Sequence, residues 1–346
     1  MGEIVYTAAG ISNEGTLPSA RTDLLLNVPN AGLDNKAIKQ AQRLLKKAQP
    51  RCFILDSGGY EILKEESRGK QILHDPTKPM KVNGVLNLTP QHVIDTARIL
   101  MPDIVIALDY PIRKRKYRCD REAEFRAKYR INIRWSLETA HLRMTYLPQI
   151  RLFLPVQCYT IPQFDVFYSA VGHVSHDGVA MPIRNMNLHN LASFFRCFRD
   201  HGIRQVHILG TAIPRNLALS AYAAACVFDW VSIDGTTWRW EAQSMKYLSP
   251  CDLSSIHIKS VKECSTRYQS CLCPYCSRRS VRDFYYLPDT EKRYHLMWHN
   301  YWVTANYITK MHEQAKLNQG FDKYLINRLK PPTHSDVLQA IKVLHP

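Results

Sequence analysis

The chain has 346 residues, 45% of them apolar, which is enough to build a large core and too many for a mini-protein stapled by disulfides. Forty-six Lys and Arg against 30 Asp and Glu give a formal net charge of +16, and this points to a polyanionic partner. Only 22% of the residues are charged, so the basicity reflects scarce acids in a globular chain and excludes a solvated polyelectrolyte.

From the N-terminus, Met1–Tyr6 shows no basic segment ahead of an apolar stretch, and Tyr6 stands where a myristoylation signal needs Ser or Thr. A cytoplasmic protein is expected. Apolar, β-branched runs then recur at Asp23–Val28, Arg51–Asp56, Asp103–Asp109, Arg151–Gln157, His173–Ala180, Gln205–Leu209 and Trp230–Asp234. Helical patterns such as Thr89–Leu100, Leu188–Asp200 and Pro214–Cys226 lie between them, and strand, helix, strand in this order predicts parallel βα units. Seven runs fit an α/β fold of the (β/α)8, TIM-like barrel type with one strand unplaced. The alternative, an open doubly wound sheet, lacks its G-x-G-x-x-G turn, and no P-loop is present. The longest nearly apolar stretch, Leu217–Phe228, is too short to span a bilayer, so no membrane partner is expected. Residues 1–346 are read as a single barrel domain, with a zinc-binding insertion or appendage at 263–312 and one or two helices from Asn318 onward.

Of ten cysteines, seven are scattered and three crowd into Cys271, Cys273 and Cys276, a pattern of reduced thiols plus one metal knuckle. His295 and His299 lie downstream on a helical pattern, and either completes a Cys3His set. Such a set closes a tetrahedral Zn2+ site and leaves no open position, so the role of the ion is structural. Asp56-Ser57-Gly58-Gly59-Tyr60 and Asp234-Gly235-Thr236-Thr237-Trp238 each follow an apolar strand. In a barrel, both aspartates stand at the active mouth as an acid/base and nucleophile pair. Asp109 and Gln157 end two further strands and suit the edge of a purine. Between Pro111 and Arg134 ten Lys and Arg, beginning with Arg113, Lys114, Arg115, Lys116 and Arg118, face three acids. This run begins just past Asp109 and is expected to hold phosphates. The knuckle is basic too, at Arg278, Arg279, Arg282, Lys292 and Arg293, with Tyr285 and Tyr286 interleaved as suits an unstacked strand.

These residues resemble the tRNA-guanine transglycosylase superfamily, most closely its DNA-modifying branch that inserts 7-deazaguanine bases. The resemblance runs from about Asp23 to Lys310. Asp56–Tyr60 matches its Asp-Ser-Gly-Gly-aromatic motif, Asp103–Asp109 its Asp-Ile-Val-x-x-x-Asp strand, Val156-Gln157 its Val-Gln strand end, and Cys271, Cys273, Cys276 with His299-Asn300 its zinc pattern. It implies that Asp56 is the general acid/base, that Asp109 reads the base with Gln157, Ser57, Gly58 and Gly59 around it, and that His299 is the fourth zinc ligand. The nucleophile matches through Phe228-Asp229 or Ile233-Asp234, and Asp234 is favoured because it ends its strand. The heterocycle-contacting Gly-Gly-Leu becomes Ala180-Met181-Pro182-Ile183. Gly235–Arg239 replaces the Pro-Thr-Arg that follows the nucleophile in tRNA enzymes, which favours DNA. The implied activity is exchange of guanine in DNA for a 7-deazaguanine base, with helper proteins that open the duplex as compatible partners. The alternatives are the same reaction on tRNA and a noncatalytic nucleic-acid-binding subunit.

Overall fold

Short apolar strands alternating with capped helices wind into a closed barrel. The computed structural model describes residues 2–11, 17, 21–31, 34–67, 80–82, 86–113, 115–183, 186–210, 212–258, 271–276, 281–317 and 320–345. In chain order the strands are β1 (Glu3–Ala8), β2 (Leu24–Asn27), β3 (Phe53–Asp56), β4 (Met80–Val82), β5 (Leu86–Leu88), β6 (Ile104–Ile106), β7 (Arg151–Pro155), β8 (Gly178–Pro182), β9 (Gln205–Leu209), β10 (Trp230–Gly235), β11 (Lys246–Leu248) and β12 (Ser255–His257). Eight of them form the barrel in the order β1-β10-β9-β8-β7-β6-β3-β2, every neighbour parallel, while β4-β5 and β11-β12 are separate two-stranded sheets.

The helices are α1 (Val28–Ala31), α2 (Asn35–Ala48), α3 (Gly59–Ser67), α4 (Pro90–Leu100), α5 (Arg118–Tyr146), α6 (Ile161–Val171), α7 (Leu188–Asp200), α8 (Pro214–Cys226), α9 (Thr237–Gln243), α10 (Val281–Tyr285), α11 (Asp289–Leu317), α12 (Phe321–Arg328) and α13 (Thr333–Leu344). Their starts are written locally. Thr89 accepts the His92 N–H at 3.1 Å with Pro90 in the first turn, and Asn187 accepts the Asn190 N–H at 2.8 Å. Both satisfy donors that a helix start would otherwise leave open. Buried alanines 218, 221, 224 and 225 leave α8 slim, and the long α11 packs against it. No described helix is long and apolar enough to cross a membrane.

The unplaced strand is β1. Its six residues pair with β10 on one side and β2 on the other, so the N-terminal Ile-Val-Tyr run closes the barrel. The run expected at His173–Ala180 needs correction. Val174 N–H bonds back to Val171 O in a turn that ends α6, and the Asp177 side chain accepts the Leu152 N–H at 2.8 Å, so the strand begins only at Gly178.

Period-two alternation sorts the barrel residues. Val5, Leu25, Ile54, Ile104, Ile106, Phe153, Ala180 and Trp230 pack together in the interior, whereas Leu24, Leu55, Val105, Leu154, Val179, Val206 and Val231 face the helices. Residues 54 and 56, and residues 230, 232 and 234, therefore share the inward face. Asp229 falls outside this set and lies exposed where β10 begins.

Candidate active site

The inward faces of β3 and β10 end in carboxylates at the C-terminal mouth, Asp56 and Asp234. After Asp56 the chain must turn at once into α3, and two glycines permit it. Gly58 has φ +95°, and a Cβ there would collide with the Pro29 ring; a Cβ on Gly59 would collide with Asp109 Oδ1. The absence of side chains lets Asp109 come against the backbone of this turn. Gly58 N–H donates to Asp56 Oδ2 at 3.2 Å.

Asp109 is buried and held on both oxygens. Ser57 Oγ donates to Oδ1 at 2.9 Å and Gln157 Nε2 to Oδ2 at 2.5 Å, while Gln157 Oε1 accepts the Ile112 N–H at 3.1 Å. The Gln157 amide is thus fixed by the protein on both sides and acts first as the holder of Asp109. Burial pushes the Asp109 carboxyl up to about 6 against the opposing hydrogen bonds of Ser57 and Gln157. Burial, followed by the charges of Asp109 and Asp234, pushes Asp56 up to about 8. Asp234 Oδ1 accepts the Gly210 N–H at 2.7 Å and lies 3.6 Å from His207 Nε2. A backbone N–H of this kind favours the ionised form of a carboxyl. One mouth therefore holds two carboxyls in unlike surroundings, Asp56 with its pKa raised by burial and Asp234 with a backbone N–H on one oxygen.

Against β11, the Sγ atoms of Cys271, Cys273 and Cys276 lie 3.5, 3.4 and 3.3 Å from His299 Nδ1, and all four residues are buried. Metal–ligand bonds of about 2.3 Å to sulfur and about 2.0 Å to nitrogen make the S–N edge of a tetrahedron about 3.5 Å. The four donors thus fit a closed tetrahedral site that could bind a zinc ion. His299 Nε2 donates to Leu248 O at 2.8 Å, which leaves the Nδ1 lone pair for the metal. His295 instead pairs with Glu291 at 3.3 Å. Asn300 accepts the Leu248 N–H at 3.0 Å and donates to the carbonyls of Trp238 (3.3 Å) and Lys246 (3.0 Å). This ties the cluster to the helix that follows Asp234.

A family model described as queuine tRNA-ribosyltransferase matches residues 26–330. The chain belongs to the queuine tRNA-ribosyltransferase family. Its members are guanine transglycosylases, pentosyltransferases acting on nucleic acid and a guanine-like base. No curated protein matches the chain.

On this family barrel the basic segment is more committed than its charge count implies. Arg113 Nε donates to Glu66 at 2.8 Å, Arg115 Nη2 to Glu124 at 2.8 Å, and the buried Lys128 bridges Glu66 (3.1 Å) and Glu124 (2.6 Å). Tyr110 Oη also donates to Glu66. Although burial alone would raise it, Tyr110, Lys128 and Arg113 hold the Glu66 carboxyl below its ordinary range. Lys116 lies over the Tyr117 ring at 5.3 Å, Arg118 opens α5, and Lys114 is outside the described residues. Of the knuckle's cations, Arg278 and Arg279 are also outside them, and Lys292 pairs with Asp289 at 3.4 Å.

Glu66, Gly210 and His207 are site features that sequence reasoning did not single out. Gly210 had a signal, a glycine directly after an apolar strand. On α9, Trp240 stands 64% exposed, whereas Trp238 is buried with its indole N–H on Gly235 O at 2.8 Å.

Proposed function

We propose that the chain exchanges guanine in DNA for a 7-deazaguanine base, such as the 7-cyano form, through a covalent aspartyl intermediate. Asp234 is the nucleophile and Asp56 the general acid/base. The observation that carries this reading is the pair of inward carboxyls with unlike surroundings, Asp56 held protonated by burial and Asp234 presented with a backbone N–H on one oxygen. Two carboxyls with separated roles are the logic of a retaining glycosidase. The target nucleotide flips out of its stack. An Asp234 oxygen bonds to C1′ as the bond from C1′ to the base breaks, and the Asp56 proton goes to the departing guanine. The incoming base then gives a proton to Asp56, bonds to C1′ and releases the Asp234 carboxylate. Asp109 accepts from the hydrogens on the base edge, steadied by Gln157 and Ser57, and Gly58 and Gly59 let the flat ring approach the backbone. Residues 1–346 are read as one barrel domain, with the 263–312 segment holding zinc as a structural ion.

Because Asp56 acts first as an acid, kcat/KM should fall along a basic limb near pH 8. Its stability contribution has the matching sign. A carboxyl whose folded pKa is raised stabilises the fold below the ordinary range near 4, and the contribution is lost as pH rises through about 8. Asp56→Asn should therefore leave Tm nearly unchanged at pH 5 and raise it at pH 9, while lowering exchange about 100-fold or more. A lower Tm at pH 9 would contradict the burial argument.

DNA is favoured over tRNA by the segment after the nucleophile. Where tRNA enzymes carry Pro-Thr-Arg, Trp238 is buried and the Arg239 guanidinium reaches Gly10 O. Labelled guanine and 7-cyano-7-deazaguanine offered with matched DNA and tRNA at one salt concentration test the choice, because phosphate contacts make binding salt-dependent. Incorporation into DNA, most readily where single-stranded, is expected. Incorporation into tRNA alone would overturn the polymer, and incorporation into neither, with both bound, would favour a noncatalytic subunit.

A further inference from the structure

Beneath Asp234, two polar side chains stand among the apolar residues of the barrel interior. His207 on β9 and Ser232 on β10 stand opposite each other in register, both fully buried. His207 Nδ1 lies 2.6 Å from Ser232 Oγ, and Nε2 lies 3.6 Å from Asp234 Oδ1 with no hydrogen-bond partner. Burying such a group is costly unless its polarity is used. Burial also draws the imidazole pKa down to about 3, so the ring is neutral and carries one N–H. Were that hydrogen on Nδ1, the Nε2 lone pair would face a carboxylate. With it on Nε2, Ser232 donates to Nδ1 and the ring N–H faces Oδ1.

We propose that His207, fixed as the Nε2–H tautomer by Ser232, is a positioning residue that orients Asp234 for attack, an inference that rests on Asp234 being the nucleophile. His207 and the Gly210 N–H converge on the same oxygen, Oδ1, and the bond to C1′ is assigned to Oδ2. The N–O separation exceeds a formed hydrogen bond by a few tenths of an ångström; contacts of this kind tighten when substrate is bound. When Oδ2 bonds to C1′, Oδ1 becomes an ester carbonyl. When the incoming base displaces the aspartate, negative charge returns to the carboxylate beneath two aimed N–H donors. No proton passes between His207 and Asp234 in either step.

The test uses the full chain in two ways. In protein labelled with [15N]histidine, the His207 resonances, identified by their loss in His207→Leu, should show a bare Nδ1 and a protonated Nε2 that do not titrate between pH 5 and 8. In base exchange, His207→Leu should lower kcat about 10- to 100-fold with nucleic-acid binding unchanged. His207→Gln, whose amide N–H reaches the Nε2 position, should recover to within a few-fold, and Ser232→Ala should fall between. A hydrogen on Nδ1, a His207→Leu enzyme with undiminished kcat, or a Gln variant no better than Leu would each overturn the proposal. A wild-type chain with no exchange on any polymer would instead sink the nucleophile reading, while the resonances still decide the tautomer.

Discussion

Asp234→Asn is expected to abolish base exchange, by about 10⁴-fold or more, as removal of a covalent nucleophile does. The substitution keeps the shape of the side chain and an oxygen for the Gly210 N–H, so folding and nucleic-acid binding should survive. A denaturant-resistant complex, expected of the wild-type chain, should be absent. Asp229→Asn is the contrast. That residue is exposed where β10 begins, at the end of the barrel away from the mouth, and its backbone rather than its carboxylate joins the strand, donating to Arg204 O and accepting from Glu3 N–H, each at 2.9 Å. Exchange should be unchanged. Peptide mass spectrometry of the trapped complex reads the attached residue directly, and an adduct on Asp229 or Asp56 would refute the assignment.

His299→Ala should have the second large effect, loss of bound zinc and of soluble protein. The imidazole supplies Nδ1 to the cluster, donates to Leu248 O at 2.8 Å and stacks on Tyr247 at 3.8 Å between ring centres. Its removal leaves three buried thiols without their fourth partner and a carbonyl without its donor, and metal binding of this kind is folding free energy. Elemental analysis should give one zinc per wild-type chain and a clear deficit in the variant. The Asp56→Asn protein should keep its full complement, since Asp56 has no part in the cluster. Full occupancy after His299→Ala would move the fourth ligand elsewhere.

Much of the site could be read from the chain because its signals are local. A strand with alternating faces that stops at an aspartate, as in Ile54-Leu55-Asp56 or Ser232-Ile233-Asp234, announces both the barrel and its mouth. The same parity argument separates Asp234 from Asp229. Cys-x-Cys-x-x-Cys is nearly as local, with His299 supplied by a helix. The features that escaped depend on partners far apart in sequence. Glu66 meets Lys128 across 62 positions and Arg113 across 47, so a basic run that reads as a phosphate rim is partly a buried ion network. His207 had no signal at all, because a single histidine in an apolar strand has the pattern of an ordinary core residue. The first strand lies in Ile-Val-Tyr, and nothing local says that a six-residue segment at the start of the chain belongs beside one near residue 230.

That closing pair carries a cost in time. Thr7 donates to Ile233 O across 226 positions, so the barrel cannot seal until nearly seven-tenths of the chain has left the ribosome. Until then β1 and β9 present open edges, which invite association with other chains. Non-local parallel pairing is also intrinsically slow, since loop closure precedes any gain from contact. Because the strand that seals the barrel is the one that bears Asp234, a nascent chain has the proposed nucleophile in place only once the barrel has closed.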